Sequence, residues 1–307
     1  MNKVSVTEEF KALVRQVGSD FSLTQGVGGN CSVKSGGYMA VKSSGRRLAD
    51  IDSGDYFYEV SVSDGQFIDS LTGQAGKPSI EVFLHALLPS KYVLHLHSAR
   101  AVALSMIASA SKETTTEINQ FGITLLPYSR PGAELKESIA TRLGSLNSNT
   151  ILLTNHGTLF QANSVQTLAD LVTSFECFAE SKLAKTKFFN FDTHSMSTDI
   201  SEATAAHLRW QAENNWRISP DHVVFLGTHP ANSFINELRG GVTIRELIDS
   251  TELTQGSIST VQEQLLWFVN VALCLPLKPL ITLSESEANF LRSWDAEKHR
   301  LYNNPNL

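Results

Sequence analysis

The stretch Tyr92-Val93-Leu94-His95-Leu96-His97 combines a run typical of a buried β-strand with two histidines. Its apolar, β-branched and aromatic residues favour a strand. Because strand side chains alternate between faces, residues two apart point the same way. His95 and His97 are therefore predicted to lie side by side on one face of the strand, where they supply half of a transition-metal site.

A third histidine has a similar setting. His156 follows the apolar run Ile151-Leu152-Leu153, and Gly157 after it opens a turn. Three neutral imidazoles with one position left open are how proteins build a catalytic divalent-metal site. A lone buried histidine is usually structural, but neighbouring buried imidazoles need polar partners. The sequence therefore favours His95, His97 and His156 as metal ligands.

An acidic residue opens the helix before this strand. Ser79 is predicted to cap a helix that runs to about Leu88, which places Glu81 in its first turn. Glu81 is either a carboxylate stabilised by the helix N-terminus or an acid/base beside the metal. Since His85 lies four residues on, the two share a helix face. They could form a second metal pair, but we favour Glu81 as the base and His85 as its hydrogen-bonded support.

Three turns of small residues precede the histidines: Gly28-Gly29-Asn30, Ser43-Ser44-Gly45 and Pro78-Ser79. Each can offer backbone N–H groups or hydroxyls to an anion, although each alone is an ordinary turn. Tyr128 ends a short predicted strand before Pro131-Gly132. From the residues alone, Tyr128 is best interpreted as a half-buried turn tyrosine.

The composition is that of an ordinary globular protein. The chain has 307 residues, of which 42% are hydrophobic and 18% charged. A net charge of −6 without a basic block argues against nucleic-acid binding. No apolar run is long enough to span a bilayer, and the N-terminus lacks an apolar signal core. Three distant cysteines fit a reduced compartment, so we expect a cytoplasmic protein.

Helical and strand patterns alternate as far as Trp216. Beyond it, Ile218-Ser219-Pro220-Asp221 breaks the pattern, and Val223–Leu226 is predicted as a short strand. Helices are predicted at about 242–248, 261–272 and 283–299, the last with a capping box of Ser284 and Glu287. We therefore divide the chain into a metal-dependent domain, residues 1–215, and a mostly helical C-terminal extension, residues 216–307.

Taken together, these motifs resemble the class II aldolase/adducin family. Four segments show the resemblance, and they occur in the family's order and at its spacing over about residues 8 to 190. They are Gly28-Gly29-Asn30-Cys31-Ser32, Lys42-Ser43-Ser44-Gly45, Pro78-Ser79-Ile80-Glu81 with His85, and His95-Leu96-His97 with Asn155-His156-Gly157. The longer sequence stretches around these motifs resemble the aldolase part of bacterial rhamnulose-phosphate aldolase/dehydrogenase fusions. No nucleotide-binding fingerprint of a dehydrogenase half occurs in the sequence.

The resemblance implies a three-layer α/β/α sandwich around a largely antiparallel sheet. It implies Zn²⁺, or a similar ion such as Mn²⁺ or Co²⁺, on His95, His97 and His156, with Glu81 as catalytic acid/base. The family's phosphate clamp corresponds to Gly29, Asn30, Ser44, Gly45 and Ser79. Tyr128 corresponds to a tyrosine that family aldolases offer across a subunit interface as proton donor, and family enzymes are commonly homotetramers.

The implied function is that of a metal-dependent lyase, which reversibly cleaves a hydroxy-carbonyl compound by an aldol reaction. Sister epimerases tend to carry Asp where Glu81 stands, so Glu favours carbon–carbon cleavage. The implied substrate is a sugar or sugar phosphate, although Ile80 replaces a serine that sugar-phosphate aldolases often have. The alternatives are a sugar-phosphate 4-epimerase, a decarboxylase, and a non-catalytic adducin-like binding protein.

Overall fold

A computed structural model describes residues 4–63, 66–70, 77–142, 148–184, 188–250 and 259–295. Within these ranges, eight strands form one sheet in the order β4-β3-β2-β1-β5-β8-β7-β6. The strands are β1 (Asn30–Ser35), β2 (Tyr38–Lys42), β3 (Phe57–Ser63), β4 (Gln66–Ser70), β5 (Tyr92–Leu96), β6 (Ile123–Leu126), β7 (Thr150–Leu153) and β8 (Gly157–Ala162). All neighbouring pairs are antiparallel except β6 and β7. The predicted, largely antiparallel sheet is confirmed.

Helices cover both faces of the sheet. They are α1 (Glu8–Gly18), α2 (Val82–Leu87), α3 (Ala99–Ser109), α4 (Lys112–Gln120), α5 (Ala133–Ala140), α6 (Val165–Lys182), α7 (Thr193–Met196), α8 (Glu202–Asn214), α9 (Pro220–Leu226), α10 (Asn232–Glu237), α11 (Ile244–Asp249), α12 (Thr260–Cys274) and α13 (Glu285–Ser293). This arrangement confirms the predicted three-layer α/β/α sandwich with a helical C-terminal region.

The side chains of β5 show how the layers are built. Leu94 and Leu96 join the largest hydrophobic core, together with side chains of α1, α3 and α6. Val93 points the other way, into a smaller core with Leu84 and Leu135 from α2 and α5. Because His95 lies two residues after Val93, the imidazole of His95 leaves the sheet on the side covered by α2 and α5.

The C-terminal segment, which we define as residues 216–250 and 259–295, partly joins the largest hydrophobic core and partly forms a smaller cluster with Val27. Trp216, Phe234 and Trp267 belong to the same hydrophobic cluster as Phe10 and Leu94. Helix α12 packs against α3, α8 and α9. The proposed boundary at residue 216 stays a prediction about chain organisation.

Several local predictions need correction. Residues 223–226, predicted as a strand, belong to helix α9. Helix α2 begins at Val82 with Glu81 at its N-cap, so Ser79 lies just before the helix instead of capping it. Strand β1 follows the glycine-rich turn and was not predicted from the sequence. Helix α13 has the predicted Ser284–Glu287 capping box and ends at Ser293, and the predicted helix beyond residue 295 lies outside the described residues.

No helix in the described part of the chain is both long and apolar enough to cross a membrane.

Candidate metal centre

Four buried side chains converge at one end of the sheet: Glu81, His95, His97 and His156. Their donor atoms all lie within 4.8 Å of one another. The Nε2 atoms of His95 and His156 lie 3.2 Å and 3.4 Å from Glu81 Oε1. The Nε2 atoms of His95 and His97 are 3.0 Å apart. The structure thus brings together the three predicted ligands and the predicted acid/base.

Local backbone geometry produces this convergence. His95 is the fourth residue of β5, and His97 follows the strand directly. His156 lies in the tight turn between β7 and β8, where Asn155 adopts a positive φ of 57°. A Cβ atom at Gly157 would overlap the carbonyl oxygen of Leu96, so this position requires glycine. The turn therefore comes close enough to β5 to bring His156 beside His95 and His97.

The electrostatics of the cluster follow from burial and from the pairing of unlike groups. Burial favours the neutral form of Glu81, but the His95 and His156 imidazoles outweigh it and hold its pKa well below the usual value. Burial opposes a charge on His95 too, yet the Glu81 carboxylate raises the pKa of His95. Burial lowers the pKa of His156 to about 4. At neutral pH, Glu81 is therefore ionised and His156 is a neutral donor.

In His95 and His97, the Nδ1 atom of the imidazole contacts an oxygen atom outside the cluster. His95 Nδ1 lies 2.9 Å from the carbonyl oxygen of Thr158, and His97 Nδ1 lies 2.9 Å from Asp221 Oδ2. In both rings the other nitrogen, Nε2, faces the cluster. Three imidazole nitrogens and a carboxylate oxygen are the donors that Zn²⁺ and similar ions prefer. The residues fit a divalent metal and could hold one.

A pocket opens onto this cluster. Four of the five predicted clamp residues line it, namely Gly29, Ser44, Gly45 and Ser79. Ile80 lines it as well, where a second hydroxyl would have favoured phosphate. The pocket is lined in addition by Val27, Lys42, Glu81, His97, Pro131, His156, Pro220 and Asp221. Four predicted clamp positions and three of the four clustered donor residues therefore line one pocket.

The hydrogen bonds of the clamp residues differ. Asn30 does not line the pocket; its Oδ1 accepts the N–H of Cys31, while its buried Nδ2 has no hydrogen-bond partner among the described residues. The N–H of Ser44 donates to the Lys77 carbonyl. Ser79 Oγ accepts the N–H of Glu81. The backbone donors at Ser44 and Glu81 are thus already engaged, whereas Asn30 Nδ2 has no partner among the described residues but lies outside the pocket lining.

Two predicted residues lie outside the cluster. His85 Nδ1 is 2.8 Å from Ser32 Oγ, and His85 contributes no donor atom to the group of four. The predicted hydrogen bond from His85 to Glu81 is not formed, because His85 Nε2 has no hydrogen-bond partner among the described residues. A supporting role of His85 therefore stays a prediction. Tyr128 is half-buried against Val27 and Leu283, and it lines a different cavity together with Ser109, Thr154 and Ile281. Within one chain, Tyr128 is therefore not among the residues that line the metal pocket.

Sequence reasoning missed two charged residues of this pocket. Lys42 lies in a quoted motif, but it was given no role; its buried Nζ donates to the carbonyls of Val27 and Arg46. Asp221 was interpreted as part of a break between elements. Its signal was present, because Ser219-Pro220 is a typical N-cap and first position of a helix. That signal predicts helix α9, although not its contact with His97.

Comparisons with known proteins agree with this geometry. The family model for the class II aldolase and adducin N-terminal domain matches residues 8–183. The uncharacterized oxidoreductase YuxG of Bacillus subtilis (strain 168) is 27% identical over 167 residues, and the match covers 46% of this chain and 24% of that protein. The chain therefore matches about a quarter of the length of this relative.

Solved structures of class II aldolase domains resemble part of the chain. The N-terminal class II aldolase domain of a conserved protein from Thermoplasma acidophilum is 25% identical, with a TM-score of 0.49 over 59% of this chain and 98% of that domain. L-fuculose-1-phosphate aldolase from Thermus thermophilus is 22% identical, with a TM-score of 0.45 over 57% of this chain and 93% of that enzyme.

Proposed function

The chain belongs to the class II aldolase and adducin N-terminal domain family, and from this premise we propose that it is a metal-dependent lyase. The proposed reaction is the reversible aldol cleavage of a hydroxy-carbonyl compound, namely a sugar phosphate. The observation that carries the proposal is the buried Glu81 carboxylate, which lies next to three imidazole donors on a pocket with anion-binding positions.

In this proposal, His95, His97 and His156 hold the ion, which is Zn²⁺ or a similar divalent metal. When bound, such an ion polarises a substrate carbonyl and stabilises negative charge on oxygen. Glu81 is ionised, so it can accept a proton from the carbon that becomes the nucleophile in the addition direction and return it during cleavage. A catalytic site keeps one position open, which favours three histidine ligands with Glu81 free for proton transfer.

Other residues of the same pocket favour an anionic substrate. Gly29, Asn30, Ser44, Gly45 and Ser79 are proposed to bind the phosphate, as the family motif implies. Lys42 adds a buried positive charge to the same lining. Because Glu81 and Asp221 are acidic, this lysine helps the pocket to accept a dianion.

The proton donor for the aldehyde oxygen stays a prediction, as does the homotetramer. Tyr128 is proposed for this role through the family resemblance, and it would reach the site of a neighbouring subunit. Its position in a separate cavity of its own chain is compatible with such an arrangement. The cytoplasmic location likewise stays a prediction.

The alternatives use the same site. A 4-epimerase or a decarboxylase would need the same ion and pocket, but the glutamate at position 81 favours carbon–carbon cleavage by the family resemblance. An adducin-like binding protein would not need four buried donors within 4.8 Å of one another. The proposal therefore ranks the lyase first.

The test combines metal analysis with one isosteric variant. We expect stoichiometric divalent metal in the purified protein and retro-aldol activity on phosphorylated ketoses. Glu81→Gln removes the charge and keeps the shape, so the variant should stay folded and retain metal but lose turnover by about 10²–10⁴-fold. Turnover is measured in a coupled assay, and metal by elemental analysis.

Glu59→Gln is the matched control, because Glu59 is also buried but lies on β3 and accepts the N–H of Val4. It should retain both metal and turnover. Protein that contains no metal after loading with Zn²⁺, or a Glu81→Gln variant with normal turnover, would contradict the proposal. Turnover of an epimerase or decarboxylase substrate instead would reassign the reaction.

A further inference from the structure

Asp221 brings a carboxylate from the C-terminal segment to the metal centre. It is the second residue of α9, after Pro220, and Ser219 caps the helix by accepting the N–H of His222. The Asp221 side chain is buried and lines the pocket of the histidine cluster. Its Oδ2 atom lies 2.9 Å from His97 Nδ1. This residue lies outside the region that matches the family model, residues 8–183.

The contact determines which nitrogen of His97 faces the metal donors. The 2.9 Å separation is a hydrogen-bond distance, and an ionised Asp221 carboxylate could only accept there, so the Nδ1 atom of His97 would carry the proton. The lone pair then lies on Nε2, which is 3.0 Å from His95 Nε2 inside the cluster. A carboxylate behind a ligating imidazole fixes the ring and makes it a better donor.

We propose that Asp221 is a positioning residue for the metal centre, which orients His97 and strengthens its bond to the ion. This inference rests on the metal site of the proposed function. It also gives the C-terminal segment a defined role, since the segment completes a site whose ligands all come from residues 81–156.

The glycine-rich turn supports this assignment. A Cβ atom at Gly28 would lie 2.7 Å from Asp221 Oδ2 and 2.8 Å from His97 Nδ1. Since real Cβ atoms do not approach so closely, the contact between Asp221 and His97 requires glycine at position 28. The backbone of the turn thus packs directly over this contact and shields it from solvent.

A second element of the C-terminal segment holds the backbone of His97. The indole Nε1 of Trp267, on α12, donates to the His97 carbonyl at 3.0 Å. His97 is therefore held at its ring by α9 and at its backbone by α12. The other two ligands are held differently, because His95 Nδ1 faces a backbone carbonyl and His156 Nδ1 has no hydrogen-bond partner in the described ranges.

The experiment measures metal affinity and the tautomer of His97, neither of which requires turnover. Apo protein is titrated with Zn²⁺ in competition with a chromophoric chelator. Asp221→Asn keeps the size of the side chain, and we expect it to bind Zn²⁺ about 10–100-fold more weakly while the apo protein melts at an unchanged temperature. Asp221→Glu, which retains a carboxylate, should recover part of the affinity.

The control is Asp249→Asn, since Asp249 lies on α11 of the same segment and contacts Gln262 instead of the pocket. It should bind Zn²⁺ like the wild type. Nitrogen-15 NMR of the Zn²⁺-loaded wild type should show His97 protonated at Nδ1, a readout that needs no variant. His97 protonated at Nε2, or unchanged affinity in Asp221→Asn, would overturn the inference alone. A protein that takes up no metal would overturn the proposed function as well.

Discussion

At the scale of single residues, Asn155 joins the candidate metal centre to the C-terminal segment. It precedes His156 and has a positive φ of 57°, a conformation that asparagine tolerates better than most residues. Its buried amide donates to the carbonyl of Ile218 at 3.0 Å and to that of Ile281 at 3.1 Å. One side chain thus stabilises both the turn that presents His156 and two loops of the C-terminal segment.

Asn155→Ala should therefore destabilise the fold. Alanine loses both hydrogen bonds and disfavours the left-handed backbone, and together these losses should lower the free energy of unfolding by about 2–4 kcal/mol. Asn155→Gly is the matched variant, because glycine adopts the backbone freely and loses the hydrogen bonds alone. It should be the more stable of the two. Urea denaturation measures both, and an alanine variant as stable as the wild type would refute this role.

At the scale of elements, patterning predicted the strands that carry the ligands. Strand β5 is a continuous apolar run before two histidines, and β7 is a short apolar run before His156. Such runs favour a strand when glycine or polar turns bound them and β-branched residues are frequent in them. The predicted ligands could be found because each histidine lies at the end of such a strand.

Helix α9 shows why other elements could not be predicted from the sequence. Its apolar residues Val223, Val224 and Phe225 are β-branched or aromatic, and a run this short fits a buried strand as well as a buried helix. The structure resolves the ambiguity through packing, because α9 lies against α12 and α13. Local pattern cannot supply that information, and so the placement of Asp221 could not be predicted.

Helix α12 also supports the glycine-rich turn. Its Glu263 carboxylate is buried, accepts the N–H of Gly26 and pairs with the Arg47 guanidinium. Burial raises the pKa of Glu263 in spite of this cation, so the negative charge is poorly solvated where it lies. The hydrogen bonds should therefore matter more to stability than the charge.

Two substitutions of Glu263 are expected to destabilise the fold to different degrees. Glu263→Ala leaves the Gly26 N–H and Arg47 without this partner and should lower the free energy of unfolding by about 2–4 kcal/mol. Glu263→Gln can still accept from Gly26, so it should lose less than half as much. Glu285→Gln, on the exposed first turn of α13, is the control. A glutamine variant as unstable as the alanine variant would show that the charge dominates.

At the scale of the whole molecule, the candidate site draws on distant parts of the chain. The candidate ligands come from residues that the family model matches, whereas Asp221 and Trp267 approach His97 from beyond that region. Motif spacing could identify the ligands, since they are encoded locally. It could not identify their supports, because those depend on how the helices of the C-terminal segment pack on the sandwich.

The same packing buries a histidine that links global stability to pH. His222, on α9, is fully buried among Trp216, Trp267 and Phe268, and neither ring nitrogen has a hydrogen-bond partner among the described residues. Burial lowers its pKa to about 3, from the usual 6.5. The folded protein therefore keeps His222 neutral at pH values where the unfolded chain would protonate it.

The lower pKa of His222 in the folded state determines how the stability depends on pH. Between pH 6.5 and about 3 the unfolded state binds a proton at His222 that the folded state does not, so stability falls as the pH falls through this range. His222→Leu removes this titrating group. As the pH falls below 6.5, the free energy of unfolding of the variant should decline less steeply than that of the wild type, and the two slopes should differ by about 1.4 kcal/mol per pH unit. Urea denaturation at several pH values from neutral to mildly acidic measures both slopes. His229→Leu, at an exposed histidine, should retain the wild-type slope. Parallel slopes for wild type and His222→Leu would mean that His222 is protonated in the folded protein or that water reaches it.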